Sequence, residues 1–505
     1  MLHSQSSNLK ALALILGAIA ILATVSGGSY LVFKSNSSQA DVDSFKEKLE
    51  TAGFTVQEGK LGIFPLVDLY DAGFVKSCWG NDPNKPYLVS WIPPSPNEKV
   101  DVSKFRVAQM FGYGNNLTTQ YRLRPDEAII LIGKTPPECK YFSFTGCLMQ
   151  RTYGNETRTL WAELTNTINN LNIKTQQTTD RSTPAPFNQN TMIVSTADKA
   201  VNDQVREAAE ASGYTSDIIN TYVIPSPILK MGLSDDSDTF NFFLRPSVFA
   251  NEAAGVDYAK NPPMVVLRVT PKENVTLHPF EMPDLRVQGT GQTELYLTSS
   301  LNALKEAILA KYSSYEATEL GVNTWLPYGY QSIGRGVNSA GVTRDALYLW
   351  TGGALTLPPT PPFVQAESEA APKGFTLADD EFIIVYGVNH QATGKAAFSS
   401  FSVYGADIWN GVGGITSDEF AGTADEYLPN GTNANYFYAY KISRHGNETN
   451  CLAIPGSGFG AYGIELNQKI FILYRLYCEP TTQTGPVPEE VLFDGAIKFS
   501  PKHSP

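Results

Sequence analysis

Residues Ala11 to Phe33 contain no Asp, Glu, Lys, Arg or His and are bracketed by Lys10 and Lys34. Twenty or so such residues, rising about 1.5 Å each, match a hydrocarbon core of roughly 30 Å, so the stretch is long enough to cross a bilayer as one helix. The apolar core of a cleaved signal peptide is usually about 7–15 residues, and the greater length here favours an uncleaved anchor. Ser38-Gln39-Ala40 before Asp41 offers small residues where a signal peptidase reads, so release as a secreted chain is the alternative. Residues 1–40 are read as anchor and stalk, and the membrane as a partner through that helix.

Charge counts on the two sides of the span do not fix its orientation. Composition points outward: the net charge is -12, only 17% of residues are charged, and Tyr, Asn, Thr, Ser and Gly are plentiful. An acidic body without Lys/Arg clusters excludes nucleic acid, whose phosphates need a basic face. Sequons at Asn36, Asn116, Asn155, Asn274, Asn430 and Asn447 fit glycosylation in a secretory pathway.

Five cysteines are no disulfide scaffold. Cys139 and Cys147 fall in one strand-like run, about 26 Å apart if extended, too far to pair. Cys451 and Cys478 bound a stretch with two apolar runs, and a bridge between adjacent strands is expected there; buried thiols are the bland alternative. The absence of Cys-x-x-Cys, His-Glu-x-x-His and Gly-x-Ser-x-Gly leaves no metal or cofactor to expect and no nucleophile elbow.

Along the body, Val42, Phe45 and Leu49 recur at helical spacing before Gly53. Short apolar runs broken by Pro and Gly follow, which is strand punctuation. Thr191-Met-Ile-Val, a helical face of Val201, Val205, Ala208 and Ala209, and Tyr222-Val-Ile make a β-α-β pattern, with Thr196 as the helix cap. A second helix is read from Leu301, Leu304, Ile308 and Tyr312. The fold class is thus α+β: a β-rich domain with a leading helix (41–173), an α+β domain (174–356), a Pro-rich linker (357–374) and a β-rich domain (375–505).

One internal echo stands out. Asp126-Glu127-Ala-Ile-Ile-Leu-Ile-Gly133 leading to Tyr141-Phe-Ser-Phe144 resembles Asp380-Glu381-Phe-Ile-Ile-Val-Tyr-Gly387 leading to Phe398-Ser-Ser-Phe401. A duplicated module and two ordinary strand-turn-strand units both produce it.

Candidate chemistry is sparse. Val388-Asn-His-Gln-Ala-Thr-Gly-Lys395 gathers polar groups around His390, which with Asp380 or Glu381 would supply acid and base; a polar loop explains the same residues. Gly334-Arg-Gly-Val-Asn-Ser-Ala-Gly341 reads as a turn. The leading expectation is a membrane-anchored or secreted extracytoplasmic protein with a binding or structural role, toward a small-molecule or glycan ligand. The alternative is a hydrolase or lyase acting on polysaccharide or lipid.

Overall fold

The computed structural model describes residues 38–176, 186–324, 329–352, 374–428, 433–446 and 448–502. The apolar stretch 11–33, the sequons at Asn36, Asn430 and Asn447, and most of the Pro-rich linker lie outside them. No described helix is long and apolar enough to cross a membrane. The described chain is mixed α/β and β-rich, with about 21% helix and 35% strand.

Helix α1 (Ser38–Thr51) buries Val42, Phe45 and Leu49, and Gly53 ends it with a φ of +94° that a side chain would resist. The strands that follow are β1 (Phe54–Ile63), β2 (Leu88–Trp91), β3 (Ala128–Lys134), β4 (Cys139–Tyr153), β5 (Glu156–Glu163), β6 (Ile168–Asn169), β7 (Asn190–Thr196), β8 (Ile219–Val223), β9 (Thr239–Phe249) and β10 (Met264–Pro271). They form one sheet in the order β5-β4-β9-β2-β1-β10-β3-β7-β8, with β6 beside β4. The division read after residue 173 therefore runs through a single sheet, between β6 and β7. The sheet curls until Ile129 and Leu131 of β3 share a core with Phe142 and Phe144 of β4.

β7 and β8 are parallel, as a crossover through helix α2 (Lys199–Ala211) requires. The cap differs from expectation. Asp198 accepts from the Val201 N–H, while the Thr196 hydroxyl donates to the Glu127 carbonyl, because the buried end of β7 points that side chain across the sheet.

After a connector over residues 272–294 comes helix α3 (Thr298–Lys311), then β11 (Tyr315–Leu320), β12 (Val322–Thr324), β13 (Ala346–Thr351), β14 (Phe382–Val388), β15 (Phe398–Gly405), β16 (Gly411–Thr416), β17 (Phe437–Ser443), β18 (Cys451–Ala453), β19 (Ile470–Tyr477) and β20 (Gly495–Pro501). Two sheets result, β11-β20-β14-β17-β18 and β12-β13-β19-β15-β16. They face each other over Leu349, Ile383, Val385, Phe401 and Ile472.

The two halves share one topology. β1 pairs β10 through Phe54–Lys60 and β2 through Lys60–Ile63; in the second half the same job is divided at Gly321 between β11, which pairs β20, and β12, which pairs β13. With that break allowed for, β2, β3, β4, β5, β7, β8, β9 and β10 correspond in chain order and in sheet order to β13 through β20. Even the parallel pair recurs, as β17 with β18.

Side chains repeat with the strands. Glu127 accepts from the Arg124 N–H, from Arg268 and from Thr270; Glu381 accepts from the Ala378 N–H and Ser500 and pairs with Lys498. Lys46 of α1 pairs with Glu58 of β1 as Lys305 of α3 pairs with Glu319 of β11. Of the two readings of the echo, the paired register of both halves selects duplication: residues 38–271 and 298–501 are two repeats of one fold.

Candidate functional site

The repeats meet through matching parts. Strand alternation turns Leu347 and Leu349 of β13 into the second repeat's own core, and Ala346, Tyr348 and Trp350 outward. Phe471, Leu473 and Tyr477 of β19 join that outward face, which packs on Tyr141 of β4.

Around it each repeat extends the loop before its second strand onto the other. The Cys78 and Gly80 amides donate to the Ile408 and Trp409 carbonyls. Reciprocally, the Ser339 and Gly341 amides donate to the Leu160 and Trp161 carbonyls. The backbone matches too: Trp79 and Ala340 have φ of 44° and 49°, Gly80 and Gly341 have 72° and 68°, and Trp409 and Trp161 have 55° and 39°. Left-handed backbone is rare for bulky residues, so its recurrence at the equivalent Trp161 and Trp409 marks a constraint imposed by the docking.

A cavity of about 20 Å³ lies inside this interface, lined by Lys85, Tyr87, Trp161, Arg245, Gly341, Tyr348, Arg475 and Tyr477 among others. Arg245 and Arg475 are equivalent residues: Arg245 pairs with Ser143 of β4, and Arg475 with Ser400 of β15. Each guanidinium stands by an equivalent tyrosine, Arg245 at 5.9 Å from the Tyr87 ring and Arg475 at 5.8 Å from the Tyr348 ring.

Their counter-charges are not equivalent. Asp82 lies 3.7 Å from Arg475 and 2.9 Å from Lys85. Counted back from Tyr348 as Asp82 is from Tyr87, the position near Arg245 is Thr343. Arg245 is 6% exposed; its Nη1 donates to the Gly341 carbonyl at 2.7 Å, and its Nε and Nη2 have no acceptor among the described residues. Glu163 also lies in its field, and burial, then Asp345, push that carboxyl up to about 8. Burial outweighs Asp82 at Lys85 and lowers its ammonium to about 7.

The residues singled out from sequence lie elsewhere. His390 is buried, with Nδ1 3.0 Å from both oxygens of Glu294 and Nε2 3.6 Å from Asp494. Burial alone would lower its pKa, but Glu294 and Asp494 raise it to about 10. It is an imidazolium at neutral pH, a donor with no lone pair to act as base. Thr393 and the Leu492 amide complete the shell of Glu294. Beside it Lys395 binds Glu479, Glu490 and Thr290. Both clusters fasten the end of the 272–294 connector to the second repeat. Asp380 is exposed and Glu381 is engaged by Lys498 and Ser500, so neither is brought to His390 by these contacts.

The Cys451–Cys478 bridge is not formed: all five cysteines are buried and none is in a disulfide. Cys451 lies on the edge strand of one sheet and Cys478 follows the central strand β19 of the other. Asn116, Asn155 and Asn274 are exposed.

Sequence reasoning missed Lys85, Trp161, Arg245 and Arg475. The available signal was a single arginine in each of two strong strand runs, Phe240-Asn-Phe-Phe-Leu-Arg245 and Ile470-Phe-Ile-Leu-Tyr-Arg475, at the same offset.

No protein-family model matches the chain, and no curated protein matches it. Among solved structures it is similar to an uncharacterized protein from Burkholderia cenocepacia, at 9% identity over 94% of this chain and 92% of that one, with a TM-score of 0.31. A protein from Vibrio parahaemolyticus gives 8% identity over 91% and 98% of the two chains and a TM-score of 0.34. Likeness at this level carries no argument about fold or activity.

Proposed function

We propose that the protein works outside the cytoplasm, held at a membrane by Ala11–Phe33 or released after Ala40, and that it binds a ligand between its two repeats. The observation that carries the binding reading is the interface cavity, where Arg245 presents buried N–H groups without acceptors among the described residues. Such groups cost about 1–3 kcal/mol each when left unsatisfied, so a ligand that satisfies them is held strongly. The exposure of Asn116, Asn155 and Asn274 supports the extracytoplasmic address.

A hydrolase or lyase using His390 with Asp380 or Glu381 has less support. An imidazolium locked between two carboxylates is a structural cation, and Asp380 faces solvent.

Mass spectrometry of the native N-terminus and of peptides around Asn116 and Asn155, with protease protection of intact vesicles, tests the address. The expected product begins at Met1 in the membrane fraction or at Asp41 outside it, with the body on the non-cytoplasmic side. A cytosolic chain retaining Met1 would overturn it.

A further inference from the structure

We infer that the interface cavity is a site for a small inorganic anion of halide size, seated against Arg245 and Trp161 in the place where the first repeat's design puts a carboxylate. This rests on reading the cavity as the ligand site, and adds the ligand's class.

Three observations carry it. The first is the broken symmetry: Asp82 lies 3.7 Å from Arg475, but its counterpart in the second repeat is Thr343, so among the described residues one of two equivalent guanidiniums lacks the acceptors its Nε and Nη2 require. Isolated buried charge is costly enough that proteins pair it or bind an ion.

The second is convergence of donors. A Cβ built on Gly341 would stand 3.0 Å from the Trp161 Nε1 and 3.1 Å from the Arg245 Nη2, so both groups lie against the side-chain-free face of Gly341, which lines the cavity. Trp161 is 2% exposed, and its N–H, like the Arg245 Nη2, lacks an acceptor among the described residues. An indole N–H and a guanidinium donate only. The Tyr87 phenol nearby is pushed up to about 12 by burial and Asp82, so it keeps its proton and can donate as well.

The third is size. About 20 Å³ exceeds the roughly 10–15 Å³ that one water requires and suits a single chloride or bromide.

Thermal unfolding of the full chain in detergent, at constant ionic strength with gluconate as the inert anion, reads the site. Chloride and bromide are expected to raise the midpoint by at least about 2 °C, while formate, sulfate and phosphate do not. Thr343→Asp, which restores the missing carboxylate, should remove the halide response and leave the halide-free midpoint equal or higher. Arg245→Met should also remove the response. If that variant does not fold, crystals grown with bromide give the same answer: an anomalous peak is expected within hydrogen-bonding reach of Arg245 Nη2 and Trp161 Nε1. A response to formate or phosphate but not to halide, dependent on Arg245, would overturn the halide assignment and leave the ligand-site reading standing. No response to any of these anions, with no anomalous peak, would overturn both.

Discussion

His390 shows how a residue's neighbours decide its chemistry. Enclosed by Glu294 and Asp494, its folded pKa of about 10 lies above the ordinary 6.5. The stabilisation is therefore complete below pH 6.5 and is lost as pH rises through 10. Lys85, lowered to about 7, binds fewer protons folded than unfolded between 7 and 10.5 and acts in the opposite sense, so the informative quantity is a difference. His390→Gln is expected to destabilise by about 3–5 kcal/mol at pH 6, since it leaves two buried carboxylates without their cation. The gap from wild type should narrow steadily toward pH 10 in denaturant titrations. A gap independent of pH would mean that His390 is neutral in the fold. That role was hidden in the sequence: Glu294 and Asp494 are distant in the chain, and only the local polar loop around His390 was visible.

Elements were more legible than sites. The helical faces of α1 and α3 and the β-α-β unit follow from apolar spacing alone, since each buries one stripe against a sheet. Thr196 was the cap expected from sequence, and the packed sheet gives that role to Asp198 instead; Asp198→Ala should cost about 1 kcal/mol, Thr196→Ala acting through a different bond. The twin strand openings were legible as well, but not their unequal environments. Glu127 and Arg268 are both 0% exposed, whereas Glu381 and Lys498 are 14% and 16% exposed. Glu127→Gln is accordingly expected to cost about 3–5 kcal/mol and Glu381→Gln about 1 kcal/mol or less, measured as unfolding free energies. Equal costs would contradict the burial difference. The cysteine bridge failed as an expectation because chain proximity of two strands does not place them in the same sheet.

At the scale of the whole molecule, two copies of one fold have been joined so that each covers the other's open face. The connector over residues 272–294 runs between them and is pinned by Glu294 and Glu490. A buried, largely aromatic interface makes independent domain motion unfavourable, so far-UV and tryptophan signals are expected to report one coincident unfolding transition. Well-separated transitions would show that the repeats are coupled only through the connector. Local sequence could suggest the duplication through one echo, but the reciprocal docking has no local signature, because its hydrogen bonds join segments far apart in the chain. Amide hydrogen exchange at Cys78, Gly80, Ser339 and Gly341 tests that docking most directly. All four lie in loops that would ordinarily exchange fast. The reciprocal interface predicts protection comparable to the amides of β13 and β19, and exchange at free-loop rates at all four would contradict it.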